Sequence, residues 1–266
     1  MAFSIFSLNL WNLNQNFRDR MQRLDEYMSE ARPDIVCLQE VSPITSAGRP
    51  QSDLVCTLRP EMTRLYSSQY RWDEREEGLA TLSTLPLVSF ESFMLPAAKG
   101  DGLRRLQIAA FDYRGQRMLV ANTHLAFRHE QHDERLAQCE TIISHLTAAS
   151  VYHQTDAIIL VGDFNTTPAS PPITSIKGSQ LGLRDLFEGT ELRRTRNTYP
   201  DTGSYFDGDA ASVRWIDFVF VTDRFEVLSS GLAMDGRTGG YVSDHVALEA
   251  RLELSAQGPA TKPAGE

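Results

Sequence analysis

Residues 157–168 read AIILVGDFNTTP. The apolar run Ala157–Val161 is a buried strand by its length and its lack of alternation, and it ends abruptly at Gly162, Asp163 and Asn165. A carboxylate at the end of a buried strand is expensive unless it is paired or holds a metal. The same design recurs along the chain. SIFSLNLW (4–11) closes near Asn9, DIVCLQEV (34–41) delivers Glu40, and EEGLATLS (76–83) starts beside Glu77. LVANTHL (119–125) gives His124, VRWIDFVFV (213–221) buries Asp217, and YVSDHVAL (241–248) brings Asp244 and His245. Seven apolar runs that end in metal- or proton-handling side chains are hard to explain as packing.

Outward from these runs, Ala2–Leu10 alternates like a strand, and Phe17, Met21, Leu24 and Met28 recur as one face of a helix. Ile35–Leu38, Leu79–Ser83, Leu87–Phe93, Leu103–Tyr113 and Met118–Thr123 read as strands. Leu136, Cys139, Ile143 and Leu146 form a second helical stripe; Trp215–Thr222, Phe225–Leu228 and His245–Leu254 are strand-like again. Strands outnumber helices and come both in succession and around helices. That predicts an α/β fold: a four-layer α/β/β/α sandwich of two mixed sheets flanked by helices, not a doubly wound parallel sheet. There is no repeat and no linker, so residues 1–254 are expected to form one domain. SAQGPATKPAGE (255–266) lacks large apolar side chains and reads as a disordered tail.

The composition fits such a core. Of 266 residues 41% are hydrophobic and 23% charged, which excludes a disordered or fibrous chain. The formal charge of −9 argues against an electrostatic DNA coat or a polybasic anchor, while leaving room for a local basic groove. Only Lys99, Lys177 and Lys262 of the 26 basic residues are lysine. Arginine grips phosphate in a bidentate fork, but genomic GC bias produces the same skew. Cys37, Cys56 and Cys139 make no CxxC pair and suit free buried thiols in a reducing compartment, so a cytoplasmic location is expected. The N-terminus lacks a signal peptide's charged start, and no run is long enough to span a membrane. A monomer is expected.

Carboxylate and amide oxygens from Asn9, Glu40, Asp163, Asn165 and Asp244 suit Mg²⁺ or Mn²⁺ better than zinc. Two histidines with acidic neighbours suit acid–base work. A cation, a base for water and an acid for the leaving group together describe phosphoester hydrolysis. Each element has a bland alternative when taken singly. Asn9 is a common turn former, Glu40 could cap a helix or pair with an arginine, GDFN resembles an Asx-turn, and SDH could be an N-cap. His129, His132, His145 and His153 read as solvated, and Phe127-Arg128 as a surface loop.

In their order, PDIVCLQEV, NTHL, GDFNTTP and SDH resemble the endonuclease/exonuclease/phosphatase superfamily, from about residue 7 to about residue 248. The resemblance implies a four-layer sandwich with its site at one edge of the paired sheets. It implies Asn9 and Glu40 as cation ligands with Asp244 nearby, and Asp163 and Asn165 on the phosphate and attacking water. It further implies two dyads, His245 with Asp217 and His124 with Glu77. His245 is expected to act on the water, and His124 to stabilise the phosphoryl oxygen or the leaving group.

Departures narrow the substrate. Apurinic endonucleases carry a tyrosine segment where this chain has NTHL, and the inositol phosphatases differ at LVGDFN and VRWIDF. Secreted sphingomyelinases have a signal peptide and an aromatic hairpin, for which the segment around Tyr205 and Phe206 is too polar. The remaining reading is a metal-dependent phosphodiesterase or phosphatase acting on an unassigned phosphoester. An endo- or exonuclease acting on DNA or RNA is the alternative, with Arg104-Arg105 and Arg193-Arg194-Arg196 as phosphate contacts. A catalytically inactive binding module would require loss of a ligand or a histidine, and none is lost.

Overall fold

Two parallel strand pairs, each joined through a helix, build the frame. β1 (Phe3–Asn9) runs through α1 (Phe17–Ala31) into β2 (Ile35–Val41), which lies parallel to it. Parallel neighbours need such a crossover. In this computed structural model, which describes residues 2–255 apart from 46–47, 58, 73–74, 98–101, 202–204, 207 and 238–239, the motif recurs once. The remaining elements in order are α2 (Gln51–Leu54), β3 (Thr63–Trp72), β4 (Arg75–Ser83), β5 (Leu87–Leu95), β6 (Arg104–Tyr113), β7 (Gln116–His124), α3 (His132–His153), β8 (Ile158–Asp163), α4 (Pro171–Lys177), β9 (Arg184–Asp185), α5 (Glu191–Thr195), β10 (Asp217–Val221), β11 (Phe225–Ala233) and β12 (Ala247–Leu254). The second crossover is β7–α3–β8.

One sheet has the order β11-β12-β1-β2-β4-β3 and the other β5-β6-β7-β8-β10-β9. Both are mixed, as the sequence predicts. Met21, Leu24 and Met28 of α1 pack with Phe6, Leu8 and Val36 on the outside of the first sheet. The larger core fills the space between the sheets and continues to α3 and α4. The layers are therefore helix, sheet, sheet, helix.

Polar groups also cross between the sheets. Gln39 Nε2 donates to Asn122 Oδ1 at 2.8 Å, and Asn122 Nδ2 donates to the Leu38 and Ala80 carbonyls at 3.1 Å each. Thr81 Oγ1 donates to Gln107 Oε1 at 2.8 Å. Buried networks of this kind fix one relative placement of the elements they join. Gln39 is next to Glu40 and Asn122 is two residues from His124, so the network aligns the two halves of the site.

One strand is additional to the sequence reading and one helix face is turned from it. Strand β3 was not legible, because its inward residues Ser67 and Gln69 are polar and buried, so alternation of hydrophobicity is lost. The buried face of α3 is Arg135, Gln138, Cys139, Ile142, Leu146 and Ala149, turned by about one residue from the apolar stripe. Arg135 and Gln138 turn inward because they donate to Ala126 O and Pro96 O respectively. Residues 256–266 of the expected tail lie outside the described residues.

Candidate active site

Strand register gathers the polar strand ends. Asp163, last in β8, is opposite His124 of β7 on one side and Asp217 of β10 on the other. In the facing sheet, Asn9 ends β1 opposite Gln39, one residue before Glu40. The two edges meet through Asn9, whose Nδ2 donates to Glu40 Oε1 and to Asp163 Oδ2, both at 3.0 Å.

Loop geometry presents the rest. Glu40 and Asn165 have φ of 51° and 49°, the left-handed region. Asp163 Oδ1 accepts the Asn165 N–H at 2.9 Å, so GDFN is an Asx-turn and also a site segment. Ser243 Oγ accepts the His245 N–H at 3.1 Å and donates to Asn9 O at 2.7 Å. SDH is thus a tight turn tied to β1, followed by β12, and no helix N-cap. Thr198 Oγ1 accepts the Ile216 and Asp217 N–H groups, while Thr198 O accepts from Val246 N, which aligns the Asp217 and His245 segments.

The result is a cavity of about 570 Å³ into which Glu40, Glu77, His124, Asp163, Asn165, Asp244 and His245 all face. Asp217 stands behind it, with Oδ2 3.0 Å from His245 Nδ1. His245 Nε2 and His124 Nε2 approach the same atom, Asp163 Oδ2, at 3.7 and 3.6 Å. The pairing of His124 differs from the expectation: Arg104 Nη1 is interposed, 3.1 Å from His124 Nδ1 and 3.4 Å from Glu77 Oε1.

Burial governs the charges here. Burial, with the Glu40 carboxylate beside it, pushes the Glu77 carboxyl up to about 8 against the pull of Arg104. Burial and the Asp217 charge push Asp163 up to about 7. Burial, reinforced by Arg104 and His245, holds His124 well below the ordinary imidazole range. Burial also pulls on His245, but the carboxylates of Asp217, Asp163 and Asp244 outweigh it and hold that imidazole well above the ordinary range.

The oxygen donors fit a hard divalent cation. Glu40 Oε1 and Asp163 Oδ2 converge on Asn9 Nδ2 while Asn9 Oδ1 accepts the Trp11 N–H, and burial makes Asp163 and Glu77 costly to ionise without a compensating positive charge. Asp163, Asp217 and His245 also form a buried cluster whose ligand atoms lie within 4.8 Å of one another. The Asp217–His245 bond occupies the facing atoms of that cluster, which marks it as a dyad against Asp163.

Several lining residues carried no signal in the sequence. Tyr70 and Tyr199 reach the cavity from segments with no motif around them, while Trp11 and Arg214 lie unremarked inside the runs that deliver Asn9 and Asp217. Phe127, read as surface loop, lines the mouth and is 56% exposed, with the Arg104 and Arg128 guanidinium carbons 5.6 and 5.4 Å from its ring centre. The other arginine cluster is structural. Arg193 pairs with Asp185 at 2.7 Å and lies over Trp215, and Arg196 pairs with Asp235 at 2.8 Å. Tyr205 packs edge-on against Trp11, and Phe206 against Tyr199. Among the described residues no helix is long and apolar enough to cross a membrane.

Known proteins share this architecture. The human Nocturnin catalytic domain, solved with a bound sulfate anion, superimposes with a TM-score of 0.72 at 18% identity, covering 96% of this chain and 94% of that one. An endonuclease/exonuclease/phosphatase from Bacteroides vulgatus gives 0.76 at 19% identity over 96% and 100%. TDP2 of D. rerio, complexed with a single-strand DNA product, gives 0.72 at 19% identity over 95% and 99%. By sequence, protein angel homolog 2 of Bos taurus is 29% identical over 171 residues, 62% of this chain. The aligned stretch is only 28% of that relative's length. The model of the Endonuclease/Exonuclease/phosphatase family matches residues 6–245. With that match across nearly the whole chain, the protein belongs to the endonuclease/exonuclease/phosphatase family.

Proposed function

We propose that the protein is a divalent-metal-dependent hydrolase of phosphoester bonds. The observation that carries the reading is the convergence of two buried imidazoles on one Asp163 oxygen whose other side faces Asn9. Glu40, Asp163, Asn9 and Asp244, with Asn165 beside them, would hold Mg²⁺ or Mn²⁺. Such an ion, when bound, offsets phosphate charge and makes a water more acidic. His245, with Asp217 accepting from its Nδ1, takes the proton of the attacking water at Nε2. Asn165 orients the phosphate side, and His124 stabilises a phosphoryl oxygen or the leaving group. Residues 1–254 act as one domain, a monomer in the cytoplasm; the three buried free thiols favour that compartment.

The test is turnover by purified protein, with Mg²⁺ or Mn²⁺, of nucleotide, phospholipid, oligonucleotide and aryl phosphodiesters. Asp163→Ala and His245→Ala should each abolish it with the melting temperature nearly intact. Inactivity with both ions across the panel would overturn the reading, and unfolding of either variant would overturn the roles given to those residues.

One observation favours nucleic acid within that class. Phe127 presents an exposed ring at the cavity mouth between two guanidinium groups. An aromatic face beside basic groups is how single strands are held without sequence preference. Binding of single-stranded DNA should weaken steeply with salt, and a flat response removes the nuclease reading.

A further inference from the structure

Arg104 begins β6 and is 5% exposed. Its Nη1 lies 3.1 Å from His124 Nδ1 and 3.4 Å from Glu77 Oε1. A guanidinium has donors and no acceptor. His124 Nδ1 must therefore accept, since a hydrogen there would place two N–H groups of like charge head to head. The ring hydrogen of His124 then sits on Nε2. His245 is the mirror case, because its Nδ1 faces a carboxylate, which only accepts. Nδ1 carries the hydrogen there, and Nε2 is the atom left to take a proton.

Both Nε2 atoms point at Asp163 Oδ2, at 3.6 and 3.7 Å, too far for a hydrogen bond. With the His245 ring neutral, the cavity is thus offered one Nε2–H donor, from His124, and one Nε2 acceptor, from His245. A direct bond from His124 Nδ1 to Glu77 would produce the opposite tautomer and two acceptors. In this chain Glu77 instead holds Arg104, and Arg104 fixes the ring.

The geometry points to Arg104 as a positioning residue that sets the Nε2–H tautomer of His124, which makes His124 a hydrogen-bond donor to a phosphoryl oxygen and leaves His245 as the base. No proton leaves His124 in this role; the proton of the water goes to His245 Nε2. The catalytic consequence rests on the phosphoester-hydrolase reading, whereas the tautomer does not.

Long-range ¹H–¹⁵N correlation spectra of the ¹⁵N-labelled full chain at pH 8 test it, with the His124 signals identified by their loss in His124→Gln. The expected wild-type pattern is a protonated Nε2 and bare Nδ1 for His124, and a protonated Nδ1 for His245. In Arg104→Met, Glu77 is released to accept, so His124 should gain a proton at Nδ1. Turnover should fall about tenfold or more through kcat, with KM little changed. Arg104→Lys keeps a donor and should retain the Nε2–H pattern and recover part of kcat. An unchanged His245 pattern certifies that the variant site is intact, and the wild-type spectrum decides the tautomer even if Arg104→Met does not fold. A protonated Nδ1 on wild-type His124, or a bare Nδ1 in folded Arg104→Met, overturns the inference. Inactivity on every phosphoester would sink the hydrolase reading alone, because the spectra do not depend on turnover.

Discussion

His245 Nδ1 lies 3.0 Å from Asp217 Oδ2, and both side chains are buried. The carboxylate fixes the ring's tautomer and stabilises the imidazolium that forms when Nε2 takes a proton. Asp217→Asn keeps the shape and removes the charge. Turnover should fall by between about 10²- and 10⁴-fold. The melting temperature should fall, because the variant leaves the buried, charge-prone His245 imidazole without its nearest carboxylate. Thermal melts and steady-state rates on the same preparation decide it. Full activity in that variant would remove the dyad from the mechanism.

The metal-free protein should lose stability as pH rises from about 6.5 to about 8. Glu77 and Asp163, held up to about 8 and about 7, keep protons in the folded chain that the unfolded chain has released. His245, raised by its three carboxylate neighbours, adds in the same direction. His124, lowered by burial, opposes them only below the ordinary imidazole range, where the unfolded chain binds the extra proton. Above about pH 6.5 the unfolded state therefore binds fewer protons, and stability falls. Melting in a chelator should shift downward across this window, and saturating Mg²⁺ should flatten the slope by taking the place of the protons. Melting that climbs with pH in the chelator contradicts the assignment.

The legible part of the site was the set of residues that end apolar runs. Glu40, Glu77, His124, Asp163, Asn165, Asp244 and His245 all line one cavity, with Asn9 donating to Glu40 and Asp163 and with Asp217 directly behind. A strand delivers its last residue to the sheet edge, so run-then-polar is a pattern in one dimension that survives folding. What stayed illegible depends on neighbours distant in sequence. Arg104 follows a loop, and its place between Glu77 and His124 comes from three strands meeting. Thr198 and Ser243 act through single hydroxyls on backbone amides. Strand β3 was hidden because its buried face carries Ser67 and Gln69, which serve the network between the sheets and the His124 carbonyl.

If a nucleobase stacks at the mouth, Phe127 is where it lands. Phe127→Ala should raise KM for a single-stranded oligonucleotide by about 5- to 150-fold, the value of about 1–3 kcal/mol per stacked base. Because the ring is 56% exposed, kcat and the melting temperature should barely move. An aliphatic phosphodiester should show no effect of the substitution. Equal KM values for the oligonucleotide in wild type and variant would rule out stacking on this ring.

Gly162, the residue before Asp163, tests whether strand register or the acid alone makes the site. Its φ is 146°, and a Cβ there would lie 2.0 Å from the Thr123 carbonyl oxygen, in the strand with which it pairs. The backbone of β7 cannot yield that distance without moving His124, the next residue along. Gly162→Ala should therefore destabilise by about 3 kcal/mol or more, which at this size lowers melting by roughly 6–12 °C. Gly115 is the control. It sits with Arg114 in the two-residue turn between β6 and β7, has a φ of 78°, and a Cβ there would have nothing within 4 Å. Gly115→Ala should cost only the left-handed strain, about 1–2 kcal/mol. Turnover per folded molecule should drop in Gly162→Ala and be unchanged in Gly115→Ala. Comparable melting of the two variants would show that close packing of β7 on β8 does not position Asp163.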